Sequence, residues 1–283
     1  MVKCDCGCEF EPVIEYKHRL LCGDSTKRED VERLMDGQTV AICFTSPPYA
    51  QQRDYKAEFA DKLQDWDALM IGVFANIPAN ADTQILVNLG LVHKDNEWQP
   101  YWEAWMSWMR QEGWRRFGWY IWDKLSAMPG DWAGRFAPTF EFIWHFNKNA
   151  VKPNKTQDCK DAGRVVRGRT RKASGELVVH TGSLKGDAVQ AKKIPDDVVR
   201  CGTAKGQDSA HPAVFPIALP TQVIQAWDGN VYEPFAGSGT TMVASENLHR
   251  NSFCMELSPD YCAVILERMS TAFPDIEIKR IDD

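Results

Sequence analysis

The chain has 283 residues and a mass of 32.1 kDa, with 44% hydrophobic, 25% charged and 11% aromatic residues and a formal net charge of −6. That balance excludes a disordered, collagen-like, fibrous or membrane-embedded chain and leaves a globule of one large domain or two small ones. No apolar run approaches the roughly 20 residues that span a bilayer, and the opening MVKCDCGCEF has no signal-type apolar stretch, so a cytoplasmic protein with no membrane partner is expected.

Residues 1–18 read as an N-terminal tail. Glu29–Met35 is helical in pattern, and Thr39–Phe44 (TVAICF), apolar and rich in β-branched residues, reads as a buried strand. Thr45-Ser46-Pro47-Pro48-Tyr49 halts it, because two prolines can join neither a ladder nor a helix. After a polar connection from Ala50 to about Asp61, Trp66–Ile77 reads as helix, Thr83–Leu91 as strand and Trp98–Glu112 as a tryptophan-rich helix. Trp119–Trp122 and Phe140–Phe146 are further strands, with SAMPGDWAGRFAPT between them. In the last third come helix Pro220–Trp227, strand Asn230–Glu233, helix Thr240–Leu248, strand Ser252–Glu256 and helix Pro259–Ala272. Strands alternating with helices predict an α/β fold, a doubly wound and mostly parallel sheet with helices on both faces. Trp98, Trp102, Trp105, Trp108, Trp114, Trp119 and Trp122 could serve as base-stacking platforms, but helical spacing favours core packing for most of them.

The nine cysteines are an odd set in a chain read as cytoplasmic, so disulfides are not expected, and Cys43 and Cys254 sit in apolar runs as small buried hydrophobes. Cys4, Cys6 and Cys8 alternate, unlike the C-x2-C of ordinary zinc sites, and no metal is expected.

Charge is distributed unevenly. Residues 148–205 hold 14 Lys and Arg against six Asp and Glu, a net +8 that leaves −14 for the rest. With GRVVRGRTRKASG at its centre and few large apolar residues, this segment reads as a mobile basic loop suited to a polyanion.

Two motifs carry chemistry. Glu233-Pro234-Phe235-Ala236-Gly237-Ser238-Gly239-Thr240-Thr241 links a strand to a helix, where glycines let a ligand approach the backbone beyond the strand's carboxyl end. The next strand ends in Glu256, an acid placed to hold both hydroxyls of a ribose, so the pair indicates a nucleoside-containing cofactor. Met242 stands where the third glycine of the dinucleotide fingerprint would fall, which disfavours NAD and FAD. The other motif is Thr45-Ser46-Pro47-Pro48-Tyr49. The exocyclic amine of a base is a poor nucleophile, and its methylation needs acceptors that hold its hydrogens. The Ser46 side chain and the Pro47 carbonyl supply two such acceptors, and Tyr49 can stack on a base that has left the duplex.

TSPPY followed far downstream by EPFAGSGTT resembles the S-adenosylmethionine-dependent DNA amino-methyltransferases, and the motif order resembles their β class. Leu21-Cys22-Gly23-Asp24-Ser25, Trp122-Asp123-Lys124, Glu141-Phe142 and His211-Pro212 are secondary matches, and the resemblance covers roughly Arg19 to Met269. It implies a Rossmann-like methyltransferase fold with a basic loop insertion. Residues 19–147 become its catalytic half, 148–210 a DNA-recognition segment and 211–283 the cofactor-binding half. It implies Ser46, Pro47, Pro48 and Tyr49 at the flipped base. Cofactor contacts are implied at Asp24, Thr45, Thr221, Glu233, Pro234, Phe235, Ala236, Gly237, Ser238, Gly239, Thr240 and Glu256. DNA is the implied partner, met by Arg53, Lys124, Arg164, Arg167, Arg169, Arg171 and Lys172, and a homodimer follows by family analogy alone. The family transfers its methyl group directly, so no cysteine need be a nucleophile.

The target base is divided between two signals. Ser at the first motif position points to cytosine N4, whereas the preamble from Tyr16 to Thr26 resembles prophage and partition-linked enzymes, many adenine-directed, and tips the reading slightly to adenine N6. The basic segment's Arg, Lys, Gly and Ser suit phosphate contacts better than base edges, which predicts weak sequence specificity. An RNA or small-molecule methyltransferase, or a nucleic-acid-binding module with a dead catalytic site, are the other readings.

Overall fold

A computed structural model of the chain describes residues 2–3, 9–10, 18–49, 65–127, 134–165, 167–181, 188–203 and 215–279. Arg53, His211, Pro212 and the cluster Cys4, Cys6 and Cys8 lie outside these residues. Among the described residues no helix is long and apolar enough to cross a membrane.

The frame is an eight-stranded sheet. In chain order its strands are β1 (His18–Cys22), β2 (Val40–Thr45), β3 (Ala79–Leu89), β4 (Arg115–Asp123), β5 (Phe140–Asn147), β6 (Val198–Arg200), β7 (Val231–Glu233) and β8 (Ser252–Glu256). Their spatial order is β6-β4-β5-β3-β2-β7-β8-β1. Every neighbouring pair is parallel except those made by β5, which runs antiparallel to both β3 and β4. The helices are α1 (Arg28–Met35), α2 (Trp66–Ala75), α3 (Glu103–Gln111), α4 (Ala218–Ile224), α5 (Thr240–Asn247) and α6 (Pro259–Ala272).

Side chains alternate across a strand, so β2 feeds two cores. Cys43 joins Val31, Leu34, Met70, Val73 and Trp105 under α1, α2 and α3, while Ile42 and Phe44 join Leu219, Val223, Ile224 and Ala244 under α4 and α5. Met242, Val243, Ile265 and Met269 close α5 against α6. Sandwiching between helix layers is why β2 reads as a continuous apolar run rather than an alternating one and why β7 is buried along its whole length. Cys43 and Cys254 are buried. At the centre of the first core the Trp105 ring meets Trp66, Phe74 and Phe146 edge-on.

Four local expectations are corrected. Trp98 is not helical: Val92–Lys94 pairs with Glu97–Gln99 in a hairpin, turned by Asp95 and Asn96 at φ 52° and 64°, conformations short polar side chains tolerate best, and α3 starts only at Glu103. Trp102, Trp105, Trp114 and Trp122 are buried, but Trp98 at 57% and Trp119 at 59% exposure are not core residues. Trp119 stacks on Trp144 instead, with ring centroids 5.0 Å apart. His18–Cys22, read as tail and preamble, is an edge strand parallel to β8. Finally, the basic segment holds regular structure. Gln157–Asp158 pairs with Lys192–Lys193, Arg167–Arg171 forms a hairpin with Leu177–Thr181, and Val198–Arg200 is β6 of the main sheet.

Candidate active site

Two crossovers leave the sheet centre in opposite directions: β2 leads through α2 to β3 on one side, and β7 through α5 to β8 on the other. The crevice beyond the carboxyl ends of adjacent β2 and β7 is therefore the topological switch point, where ligands bind in open α/β sheets. Both motifs open into it. Tyr232 pairs with Cys43, which brings Glu233 beside the last residues of β2.

Glu233 bolts the two turns together. Its carboxyl group hydrogen-bonds the hydroxyls of Thr45 and, at 2.9 Å, Thr241, and accepts from the Phe235 N–H at 3.2 Å. Thr45 and Glu233, expected at the cofactor, are 0% and 1% exposed and so brace the turn rather than face a ligand. Burial pushes the Glu233 carboxyl up to about 8, against the hydrogen bonds that favour its charged form.

In the turn itself, Gly237 and Gly239 have φ of 53° and 76°, a region costly for other residues. A Cβ on Gly239 would also stand 3.0 Å from Ile265. Pro234, Ala236, Ser238, Gly239 and Thr240 are buried, which leaves Phe235 and Gly237 as the residues of the turn with surface to offer. Glu256, at the end of β8, accepts from the Gly237 N–H at 2.8 Å through Oε2 and the Ser258 N–H at 2.9 Å through Oε1. The Leu257 N–H also favours the charged carboxylate, so of its roughly four lone-pair sites about one remains for a ligand's hydroxyl. Its pKa is raised by burial, opposed by these backbone N–H groups.

The loop after β1 closes the same rim. Ser25 donates to the Pro234 carbonyl at 2.8 Å, Gly23 N–H to the Glu256 carbonyl at 3.0 Å, and Asp24 Oδ1 accepts from Thr26 N and Oγ1. Thr221 spends its hydroxyl on the Ile217 carbonyl one turn back in α4. Arg268 of α6 straps the turn from behind, donating to the Ser238 carbonyl at 2.9 Å and Thr240 Oγ1 at 3.0 Å. Sequence reasoning missed Arg268, for an arginine on an amphipathic helix carries no local signal.

On the β2 side the Pro48 carbonyl accepts from Trp66 Nε1 at 2.8 Å, which ties the turn to α2. The Tyr49 ring lies against Gly90, where a Cβ would come within 2.8 Å of it. Its hydroxyl donates to Glu141 Oε2 at 2.6 Å and accepts from Asn88 Nδ2 at 3.1 Å, while Ser46 lies 3.4 Å from the same Nδ2. Burial first, and then Glu141, raise the Tyr49 pKa well above its usual value, so the phenol stays neutral. Lys124 pairs with Glu141 Oε1 at 2.6 Å, and its ammonium sits 5.2 Å from the Trp122 ring. This lysine, expected on DNA, is paired with Glu141 beside Tyr49 and Asn88. Asn88 was missed, although an amide inside the apolar run ILVNLGL was the available signal.

Among the DNA candidates, Arg167, Arg169 and Arg171 lie along one strand of the hairpin in the basic segment. Arg164, Arg171 and Lys172 are exposed, with Arg164 beside Asp161 and Lys172 beside Glu176. Lys192–Asp158 and Lys193–Asp196 are further surface pairs. Such pairs are weak and screened, so these cations stay exchangeable toward phosphate.

The doubly wound sheet with ligand-approachable turns at its switch point defines a nucleoside-cofactor enzyme of the methyltransferase fold. The DNA methylase family model matches residues 40–267, and the chain belongs to that family of N6/N4 amino-methyltransferases. It is 26% identical over 246 residues to the orphan methyltransferase M.BamHII of Bacillus amyloliquefaciens, covering 82% of this chain and 89% of the relative. It is 25% identical over 263 residues to the type II methyltransferase M.ScaI of Streptomyces caespitosus, covering 87% and 79%. Among solved structures, the cytosine-N4-specific PvuII DNA methyltransferase superposes with a TM-score of 0.62 at 20% identity over 94% of this chain and 92% of the other. The M1.HpyAVI complex with S-adenosylmethionine does so at 0.54 and 17% over 89% and 100%.

Proposed function

We propose that this chain moves a methyl group from S-adenosylmethionine to the exocyclic amine of a base flipped out of DNA, with cytosine N4 the first reading and adenine N6 the second. The observation that carries it is the shared crevice: the Ser46 turn and the Gly237 turn leave adjacent strands and are bolted by Glu233.

The residues present fit the cofactor. Glu256 keeps lone-pair capacity for a ribose hydroxyl beside its backbone partners, Phe235 and Gly237 give surface and backbone to the nucleoside, and Asp24 lies on the same rim. Thr221, expected at the amino-acid carboxylate, already gives its one hydroxyl proton to the Ile217 carbonyl. S-adenosylmethionine supplies an electrophilic methyl on a sulfonium, so the protein's task is positioning and electrostatics. Ser46 Oγ and the Pro47 carbonyl accept the amine's hydrogens, and the Tyr49 ring, backed by Gly90, is the platform for the extruded base.

The preference for cytosine rests on where the two conflicting signals sit. The preamble that tips the sequence to adenine forms β1 and its loop, which touches Pro234 and Glu256 on the cofactor side. Ser46 belongs to the turn read as meeting the base, and a serine at this position is the family's cytosine signature. The hairpin Arg167–Arg171 with Leu177–Thr181 is the proposed phosphate-contacting element, consistent with weak sequence specificity. A homodimer and a bacterial or phage cytoplasmic setting complete the proposal.

The test is incubation with labelled cofactor and DNA, RNA or protein, followed by digestion and mass identification of the modified nucleoside. N4-methylcytosine supports the first reading and N6-methyladenine replaces it with the second. Label on RNA alone, or on nothing, overturns both.

A further inference from the structure

Asn88, Glu141 and Lys124 take no part in the chemistry derived so far, yet three neighbouring strand ends deliver them to the residues that do. Asn88 is next to last in β3, Lys124 follows β4, and Glu141 opposes Trp122 at the start of antiparallel β5. Glu141 is buried, and each oxygen has a fixed correspondent. Oε1 takes the Lys124 ammonium at 2.6 Å, and Oε2 takes the Tyr49 hydroxyl at 2.6 Å and Asn88 Nδ2 at 2.6 Å.

A carboxylate paired with an ammonium has lone pairs to offer and no proton. Tyr49 must therefore donate to it, which leaves the Tyr49 oxygen to accept. It accepts from Asn88 and from the Ser46 hydroxyl. A serine has one proton, and once that is given to Tyr49 only lone pairs are left for the substrate. The geometry points to Glu141, clamped by Lys124, as the positioning residue that makes the Ser46 hydroxyl an obligate acceptor for the amine of the base. This inference rests on the amino-methyl transfer read above and adds the device by which a neutral serine does the work of an acceptor-only side chain.

The same constraint accounts for Asn88. Its amide must turn N–H groups toward Glu141 and Tyr49, since a flip would set its oxygen against theirs. Its Oδ1 is consequently buried with no hydrogen-bond partner, in a residue only 1% exposed. A buried polar atom is left unpaired only where its surroundings over-determine it, and here the carboxylate dictates the orientation.

The test is kinetic. Glu141→Gln keeps the shape but can present a donor, so kcat should fall roughly tenfold or more, with cofactor Kd and DNA KM within about twofold. Tyr49→Phe keeps the ring and removes the acceptor for Ser46, and should lower kcat by a similar factor. Adding Ser46→Asp to Glu141→Gln supplies an acceptor that needs no orienting and should recover part of the lost kcat. Undiminished kcat in Glu141→Gln or Tyr49→Phe overturns the inference. So does loss of cofactor binding in step with kcat, or no recovery on adding Ser46→Asp. A wild-type protein that transfers no methyl to DNA marks failure of the functional reading instead, before any variant is made.

Discussion

The two halves of the crevice solve the same problem, a carboxylate out of water, in opposite ways. On the base side Glu141 is held by an ammonium and drawn from a tyrosine, an amide and a lysine far apart in the chain. On the cofactor side Glu233 and Glu256 are held by hydroxyls and backbone N–H groups, most of them within ten or so residues of the turn. Burial lifts Glu233 to about 8 and raises Glu256, against the hydrogen bonds each accepts, whereas Glu141 meets an ammonium. A cation suits the side that must orient protons.

If the halves are separable, Ser46→Ala and Tyr49→Ala should each reduce methyl transfer by roughly 100-fold or more, because acceptors and base platform are lost, while calorimetric cofactor affinity stays near wild type. A parallel fall in cofactor affinity would show one cooperative cluster instead of two.

Protonation offers the next contrast. Native Glu233 keeps its proton up to about pH 8, whereas the unfolded chain releases it near 4.5, so the native state binds more protons between these values and stability falls as pH rises through the window. His145, whose pKa burial lowers to about 3, acts with the opposite sign up to about 6.5, so the Glu233 contribution is cleanest between pH 6.5 and 8. Glu233→Gln should flatten that limb and raise Tm by several degrees at pH 8 relative to wild type, read by calorimetry across pH. An unchanged slope would mean that Glu233 is ionised in the native protein.

A smaller effect is expected at the ribose. Glu256→Ala should weaken cofactor binding by about tenfold, the scale of hydrogen bonds to a charged acceptor, with turnover nearly restored at saturating cofactor. The smallest concerns the basic hairpin: Arg171→Ala should lower DNA affinity by about threefold at moderate salt and reduce the salt slope by about one. Affinity that does not respond across a salt series would remove the hairpin from the DNA surface.

How much was legible in advance follows the same division. The cofactor turn was readable because its parts are consecutive: a strand, glycines at left-handed φ, a helix, and an acid ending the next strand, with Ser252–Glu256 and Pro259–Ala272 found at the expected residues. The base side was readable only as far as its own turn, Ser46 to Tyr49. Asn88 and Glu141 were overlooked as site residues because their partners lie 39 and 92 positions from them, at Tyr49. The hairpin of Val92–Lys94 with Glu97–Gln99 hid inside a tryptophan-rich run whose spacing imitates a helix.

The amino-acid order alone determined which segments are strands and helices through most of the chain, and where two strands must break off into a proline turn and a glycine turn. Those properties follow from dihedral restriction and from the period of apolar residues, which act over a few positions. Only the folded sheet decided that β5 enters antiparallel between β3 and β4, carrying Glu141 to the mouth of the crevice, and that Lys124 faces that carboxylate. Strand order and proton direction depend on groups brought together across the sheet, where a charge out of water must find a partner, and no local pattern in the chain encodes that partner.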